Sequence, residues 1–139
     1  LFRSDVTYFG YGPIESYPDK HHDAKLGLYT SDVDSLHEDY LRPQENGSHW
    51  NCSGLALTTS DHRSLLISGT QNFSFNASRY TQEELTTKAH SFELEKSPYT
   101  VLCLDGYMSG CGSNSCGPAL AKKYRVDQDK LTFTFTLNF

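Results

Sequence analysis

The chain has 139 residues, and its acidic residues outnumber its basic ones to give a formal net charge of −5. Hydrophobic residues make up 37% of the chain and aromatic residues 13%, most of them Tyr and Phe. The acidic balance, with no run of Lys or Arg, argues against nucleic acid as a partner. No apolar run approaches the ~20 residues that cross a bilayer, so we expect no membrane span. The length suits a single domain with one core, and we assign residues 1–139 to it.

The N-terminal sequence LFRSDVTYF has the aromatic and β-branched content of a strand that starts at Leu1. We therefore expect the chain to begin inside a structured region and to be a piece of something longer. Residues 13–40 come next and are rich in Tyr, Asp and His. This composition predicts a long loop with short ordered pieces, and such loops usually lie at functional surfaces or cover a sheet edge.

The middle of the chain has the pattern of short strands separated by turns. Asn46-Gly47 is a turn pair that predicts a hairpin between RPQ and HWNCSGL. Further strands are predicted at SGLALTT, SLLISG and NFSFNAS. In TQEELTTKAH, Thr81 as N-cap and Glu84 three residues later form a capping-box sequence. It predicts one helix of about two turns, after which HSFELEK favours a strand again.

The last third of the chain predicts strands alone. TVLCLDG is a short apolar run that ends at the turn pair Asp105-Gly106, and ALAKKYRV, after Pro118, is interpreted as the start of another strand. In KLTFTFTLNF, apolar and polar residues alternate, which places five apolar side chains on one face. Many short strands with frequent turn signals predict an all-β fold, an antiparallel β-sandwich with one short helix.

The sequence GCGSNSCGP at residues 110–118 allows several kinds of site. Cys111 and Cys116 lack the paired spacing of a zinc site, so no metal is expected, but they could close a small disulfide ring. The sequence around Ser115 weakly resembles a nucleophile elbow, and Cys116 could act as a thiolate nucleophile. Neither residue has a general base that the sequence identifies. The glycines and small polar residues equally suit a loop that approaches a neutral polyhydroxyl ligand, or a turn that only packs.

The other ionisable side chains are predicted to be solvated. The six histidines are scattered, with no second ligand pair, and are interpreted as loop histidines. Glycoside hydrolysis needs two facing carboxyl groups. The acidic residues considered for that role lie in polar, loop-like sequence, where ordinary ionised carboxylates are expected: Glu15, Asp19, Asp23, Glu38, Asp39 and Glu45.

Motifs along nearly the whole chain resemble the C-terminal, small-chain (domain 5 type) domain of the large β-galactosidases of glycoside hydrolase family 2. YFGYGPIESYPDK is similar to the family's W-x-G-x-G-P-x-E-x-Y-P-D, with Phe9 or Tyr11 near the usual aromatic residue. DYLRPQENG resembles Y-x-x-P-x-E-N-G, and FSFNASRYTQEEL resembles F-x-x-S-x-Y-x-x-x-x-L. HSFEL, LDGYMSGCGSNSCGP and the final alternating strand follow in the family's order.

The resemblance implies that the chain is the C-terminal half of a galactose-mutarotase-like supersandwich. In this family the parent enzyme hydrolyses terminal β-D-galactosides such as lactose, with two catalytic glutamates in a separate α/β barrel. We therefore expect no catalytic residue and no cofactor in this fragment, which should be inactive alone. The expected partners are the catalytic barrel, the N-terminal half-sandwich and, in a homo-oligomer, further copies. The expected location is cytoplasmic.

The resemblance also implies a role for residues 110–118. In well-known family members the matching loop presents a tryptophan to the sugar, and here the aligned position is Cys116. A cysteine offers a sugar ring much less area than a tryptophan does, so hydrogen bonds from neighbouring polar side chains are expected to contribute. The predicted substrate-binding residues are Ser113, Asn114, Ser115 and Cys116.

Two other functions stay open. The chain could be a free-standing carbohydrate-binding module that uses Trp50 and the Tyr-rich residues 8–40. It could also be a purely structural assembly domain, in which the loop at residues 110–118 only packs. Since a severed half-sandwich exposes an apolar patch or an unpaired edge, self-association is expected in each case.

Overall fold

The computed structural model describes residues 4–112 and 117–139. Their strands are β1 (Ser4–Gly12), β2 (Lys25–Asp32), β3 (His49–Cys52), β4 (Gly54–Thr59), β5 (Ser64–Gly69), β6 (Phe73–Ser78), β7 (Val101–Asp105) and β8 (Phe135–Asn138). Within this part of the chain they form a five-stranded sheet, in the order β2-β1-β4-β5-β8, and a three-stranded sheet, in the order β3-β6-β7. Every described pairing is antiparallel. The predicted all-β sandwich is confirmed.

The predicted helix is also confirmed. Helix α1 (Gln82–Thr87) begins after Thr81, whose Oγ1 accepts a hydrogen bond from the Glu84 amide at 3.1 Å. Short 3₁₀ turns occur at Asp34–Leu36, Ser91–Glu93 and Lys122–Tyr124. No helix in the described ranges is long and apolar enough to cross a bilayer.

The core lies between the two sheets and follows the two-residue period of the strands. In β1, Val6 and Tyr8 are buried, whereas Phe9, the next residue after Tyr8, points outward and is 44% exposed. In β6, Phe73, Phe75 and Ala77 pack into the same core. Alternation therefore builds the sandwich, as expected when each sheet buries one face. The buried apolar cluster is Val6, Tyr8, Val33, Leu36, Cys52, Leu55, Ile67, Phe73, Phe75 and Ala77.

Strand β6 is unusual because both of its faces are buried. Ser74, Asn76 and Ser78 point away from the core and yet are at most 7% exposed. The Asn76 amide group donates a hydrogen bond to the carbonyl oxygen of Asn46, so the segment before β3 covers this face. The loop after β2 is thereby held against the smaller sheet. The loop before β2 reaches the same sheet through Ser16, whose Oγ accepts a hydrogen bond from the Trp50 amide on β3 at 2.9 Å. These two loops carry residues of the candidate site.

The outer face of the five-stranded sheet is apolar and open to solvent. Phe9 lies opposite Leu28 on β2 and Gly54 on β4, and Ala56 lies opposite Leu66 on β5. Leu28 is 70% exposed and Leu66 52% exposed. The expected exposed apolar patch is therefore present on the described part of the chain.

Two predictions for the first half of the chain were wrong. Residues 13–40 contain more than short ordered pieces, because the 8-residue strand β2 lies within them and pairs with β1 from Gly12↔Lys25 to Asp5↔Asp32. The segment RPQ forms no strand, so Asn46-Gly47 does not connect a hairpin. Gly47 instead takes a left-handed conformation, with φ of 70°, in a loop.

Three strand predictions for the second half were also wrong, wholly or in part. HSFELEK and ALAKKYRV contain 3₁₀ turns at Ser91–Glu93 and Lys122–Tyr124 in place of strands. The final strand is shorter than its alternation predicts, since only Phe135–Asn138 pairs with β5. Phe133 and Phe135 still pack against the core, whereas Phe139 is fully exposed.

Candidate functional site

A tight turn at Tyr17 to Lys20 is the centre of the candidate site. The Tyr17 amide donates to the Lys20 carbonyl at 2.8 Å, and the Lys20 amide donates to the Tyr17 carbonyl at 3.0 Å. Pro18 occupies the second position of the turn, where its fixed φ is favourable. Asp19 therefore stands at the tip of a turn that the backbone hydrogen bonds between Tyr17 and Lys20 close.

Glu15 carries a buried carboxylate beneath this turn. It is 7% exposed and accepts hydrogen bonds from the Lys20 ammonium, the Tyr40 hydroxyl and, at 2.9 Å, the Gly47 amide. Burial by itself raises the pKa of Glu15, but the three donors outweigh it and lower the pKa below its usual value. The interpretation of Glu15 as a solvated loop carboxylate is therefore wrong, although the group is ionised as expected.

Tyr17 links the turn to the segment before β3. Its ring is 4% exposed, and its hydroxyl donates to Glu45 Oε2 at 2.6 Å. Burial and the nearby Glu45 charge both raise the pKa of Tyr17, so the phenol stays protonated and acts as a donor. The motifs GPIESYPDK and PQENG are thus joined directly, side chain to side chain.

Asn46 and Gly47 complete this junction by backbone contacts. Asn46 Oδ1 accepts from the Glu38 amide at 2.9 Å, and Asn46 Nδ2 donates to the Gln44 carbonyl at 2.9 Å. Two features require glycine at position 47: its φ is positive, and a Cβ there would collide with the Leu36 carbonyl oxygen. The sequence ENG is therefore built for one conformation.

Asp19 reaches across to the loop at residues 110–118. Its Oδ1 accepts a hydrogen bond from the Cys111 amide at 2.8 Å, and its Oδ2 accepts one from the Gly112 amide at 2.9 Å. The Gly110 amide donates to the Tyr124 carbonyl at 3.0 Å. We call residues 110–112 the loop stem. The stem is held from two sides, by the tip of the turn and by the 3₁₀ turn at Lys122–Tyr124.

The predicted substrate-binding residues follow the stem directly. Ser113, Asn114, Ser115 and Cys116 lie outside the described residues, so their role and a Cys111–Cys116 disulfide stay predictions. Gly117 and Pro118, on the far side of this segment, are exposed. Asp19 was considered only as a solvated carboxylate, and its contact with the stem was not foreseen.

Four rings form a stack on the other side of the turn. Tyr11 stacks on Trp50 with centroids 5.2 Å apart, His21 lies 4.5 Å from Trp50, and His22 stacks on His21 at 5.0 Å. A cleft of about 190 Å³ lies beside it, with Lys20, His21 and His22 in its wall. The stack combines aromatic faces with polar groups, a combination that carbohydrate sites use.

The histidines are less uniform than predicted. His49 is 1% exposed, and its Nδ1 lies 3.0 Å from the Tyr8 hydroxyl and 3.3 Å from the Tyr11 carbonyl. Burial lowers the pKa of His49 to about 4, so it is neutral at physiological pH. The solvated interpretation is wrong for this residue. Within residues 4–112 and 117–139, no three His, Cys, Asp or Glu side chains are grouped to hold a metal ion.

Comparison with known proteins gives the chain its family. A family model described as "Beta galactosidase small chain" matches residues 3–137. The chain belongs to the beta-galactosidase small chain family. The resemblance drawn from the motifs is confirmed.

Three curated relatives are bacterial enzymes named "Beta-galactosidase". The protein of Actinobacillus pleuropneumoniae is 52% identical over 137 residues, which is 99% of this chain. Those of Staphylococcus xylosus and Oenococcus oeni are 37% and 33% identical over 96% and 95% of it. The chain spans about 13% of the length of these relatives. This small-chain domain therefore corresponds to a part of much larger enzymes.

Proposed function

We propose that this chain is a non-catalytic part of a glycoside hydrolase family 2 β-galactosidase that hydrolyses terminal β-D-galactosides such as lactose. The observation that supports it best is the family match over residues 3–137, together with a span of 13% of the relatives' length. The remainder of such a parent has room for a catalytic barrel with its two glutamates and for the other half of the sandwich.

The state of Glu15 argues against this residue as a general acid. A general acid for glycoside hydrolysis needs a raised pKa so that it carries a proton at neutral pH. Three donors, from Lys20, Tyr40 and Gly47, lower the pKa of Glu15. This carboxylate therefore joins the turn to its neighbours and is unsuited to proton donation.

We also propose that the loop at residues 110–118 contributes to the rim of the sugar site, through Ser113, Asn114, Ser115 and Cys116. The anchored stem supports this role, because a loop that touches a ligand needs a fixed base. Hydroxyl and amide groups can both donate to and accept from sugar hydroxyls. The small Cys116 side chain leaves more of the contact to these polar groups than a large ring would.

The exposed outer face of the five-stranded sheet supports an interface role. Phe9, Leu28 and Leu66 form an apolar surface that a soluble protein usually covers. In the proposed parent, the covering surface belongs to the rest of the enzyme. For the isolated chain the same face is proposed to pack against a second copy.

Activity assays test the first proposal. The isolated chain and the complete parent enzyme are each incubated with a chromogenic β-galactoside at equal molar concentration. We expect turnover from the parent and none from the chain. Turnover by the purified chain above the buffer rate would refute the non-catalytic role.

Substitutions in the complete enzyme test the loop. Asn114→Ala and Ser115→Ala are expected to raise KM for lactose by about two- to tenfold, the value of one lost hydrogen bond. Ser53→Ala is the control, since Ser53 is an exposed serine between β3 and β4. Unchanged kinetics in both loop variants and in Cys116→Ala would favour a purely structural domain.

The ring stack favours one alternative, a free-standing carbohydrate-binding module. Tyr11, Trp50 and His21 present aromatic faces beside a polar cleft. Calorimetric titration of the chain with galactose and with lactose separates the two functions. Binding of about millimolar affinity or tighter, lost in Trp50→Ala, would favour the module, whereas no heat of binding favours the part-enzyme role.

A further inference from the structure

The carboxylate of Asp19 satisfies two successive backbone amides with its two oxygens. Oδ1 takes the Cys111 amide at 2.8 Å and Oδ2 takes the Gly112 amide at 2.9 Å. Hydrogen bonds to an ionised acceptor are stronger than those between neutral groups. When one rigid group binds two adjacent amides, it fixes the orientation of the peptide unit between them. We propose that Asp19 is a positioning residue that sets the backbone conformation of the loop stem.

Asp19 is itself held rigidly, as a positioning residue must be. Tyr17 and Lys20 close the turn around it with paired backbone hydrogen bonds of 2.8 and 3.0 Å. The side chain of Tyr17 is fixed by Glu45, and that of Lys20 by Glu15 and Tyr40. The carboxylate at the tip therefore stands on a base that is anchored at both ends.

The stem is shaped to receive this carboxylate. A Cβ on Gly110 would lie 2.6 Å from each carboxylate oxygen of Asp19, so a larger residue cannot occupy this position without displacing the contact. Gly112 has φ of 73°, a conformation that other residues rarely adopt. Both glycines are needed for the approach, and the Gly110 amide is held from the opposite side by the Tyr124 carbonyl.

The functional consequence rests on the proposal that residues 113–116 contact the sugar. The stem precedes those residues directly, so a change in its conformation changes where they begin. Asp19 touches no reacting atom in this account. Loss of its carboxylate is therefore expected to weaken galactoside binding more than the chemical step, with KM raised more than kcat is lowered.

The chemistry of the contact gives a graded series of variants. Asp19→Asn keeps the shape of the side chain but replaces one acceptor oxygen with an NH₂ group, which faces an amide donor. Asp19→Ala removes both acceptors. Asp23→Asn is the matched control, because Asp23 is an exposed carboxylate of the same loop and has no described hydrogen bond to the stem. Any effect of charge alone appears in the control as well.

Amide hydrogen exchange of the 139-residue chain, followed by NMR, tests the contact without reference to any sugar. Asp19→Asn is expected to speed exchange at Cys111 or Gly112 by about tenfold or more, and Asp19→Ala at both. The amides of β6 serve as the internal check that the fold is intact, and Asp23→Asn should leave the stem unchanged. Unaltered exchange at both stem amides in the two Asp19 variants would overturn the proposal.

Kinetics of the same variants in the parent β-galactosidase then separate this inference from the proposed function. Faster stem exchange with a raised KM for lactose supports both. Faster exchange with unchanged KM and kcat supports Asp19 as the residue that positions the stem, while it refutes the sugar contact of the loop. Unaltered exchange overturns the positioning role whatever the kinetics are.

Discussion

Tyr17 and Glu45, which are 28 residues apart, share a hydrogen bond of 2.6 Å from the phenol to the carboxylate Oε2. This contact joins the turn that carries Asp19 to the segment that ends in Gly47. Glu15 makes a second connection between the same two segments, through the Gly47 amide. The motifs YFGYGPIESYPDK and DYLRPQENG are thus parts of one structural unit, and that unit supports the loop stem.

Removal of the Tyr17 hydroxyl should weaken the whole unit. Tyr17→Phe keeps the buried ring but leaves the Glu45 carboxylate without its donor, which should lower the free energy of unfolding by about 1–3 kcal/mol. Urea denaturation followed by fluorescence measures it. Tyr99→Phe is the control, because that ring is 70% exposed. Equal stability of the two variants would contradict the structural role of the Tyr17 hydrogen bond.

A methyl group at Gly110 should not fit, whereas one at Gly54 should. A Cβ on Gly110 would lie 2.6 Å from the carboxylate oxygens of Asp19, and one on Gly54 meets nothing within 4 Å. Gly110→Ala is expected to lower the free energy of unfolding by about 1–3 kcal/mol. Gly54→Ala should be neutral or slightly stabilising. Thermal unfolding measures the stability of both variants. A Gly110→Ala variant as stable as the wild type would count against the close contact between Gly110 and Asp19.

His49 should make stability depend on pH in the weakly acidic range. Burial lowers the pKa of His49 from 6.5 to about 4, against the opposing effects of the Tyr11 carbonyl and the Glu15 charge. Between these two values the unfolded chain binds a proton that the folded chain does not. The contribution of His49 is therefore fully present above pH 6.5 and is lost as the pH falls towards 4, by about 3 kcal/mol in total.

Denaturation at a series of pH values checks this expectation. Between about pH 7 and about pH 5, the unfolding free energy of His49→Phe should fall less than that of the wild type. His62→Asn is the control, since His62 is exposed and Asn accepts its left-handed conformation, with φ of 63°. An equal loss of unfolding free energy in the wild type and in His49→Phe over this pH range would contradict the expectation.

The outer face of the five-stranded sheet should cause self-association. Leu28→Thr with Leu66→Thr replaces two exposed leucines by a residue that suits strands and water. Sedimentation velocity is expected to find dimers or larger species for the wild type and a shift towards monomer for the double variant. Leu41→Thr, at a residue that is 99% exposed outside this face, should change nothing. A monomeric wild type would contradict the prediction.

The sequence predicted a strand correctly in two situations. In one, apolar and polar residues alternate, so that a single face of the strand is apolar; in the other, a short apolar run is bounded by turn residues. Strand β6 and the end of β8 are of the first kind. Strand β2 was missed because its leucines, Leu26 and Leu28, lie on the exposed face, whereas the opposite face carries Gly27 and Tyr29. The sequence therefore has no clean alternation of apolar core residues and polar surface residues. Its pairing with β1 depends on the segment between them, and local sequence does not encode that contact.

Of the candidate site, the sequence yielded the motifs and not their geometry. It identified Glu15 and Asp19 as acidic loop residues, but their partners Lys20, Gly47 and Cys111 are brought near by the fold. Burial of a charged or polar side chain depends on which distant segments cover it. The fully buried His49 was missed for the same reason.

The separation of Asp19 from its partners also bears on the order in which the molecule assembles. The Cys111 and Gly112 amides lie 92 and 93 residues further along the chain. Closing so long a loop has a larger entropic cost than closing a hairpin, so such contacts are made after local ones. A nascent chain that has emerged only as far as β7 can already close the turn around Pro18. Its Asp19 carboxylate stays hydrated until the Cys111 and Gly112 amides have emerged as well.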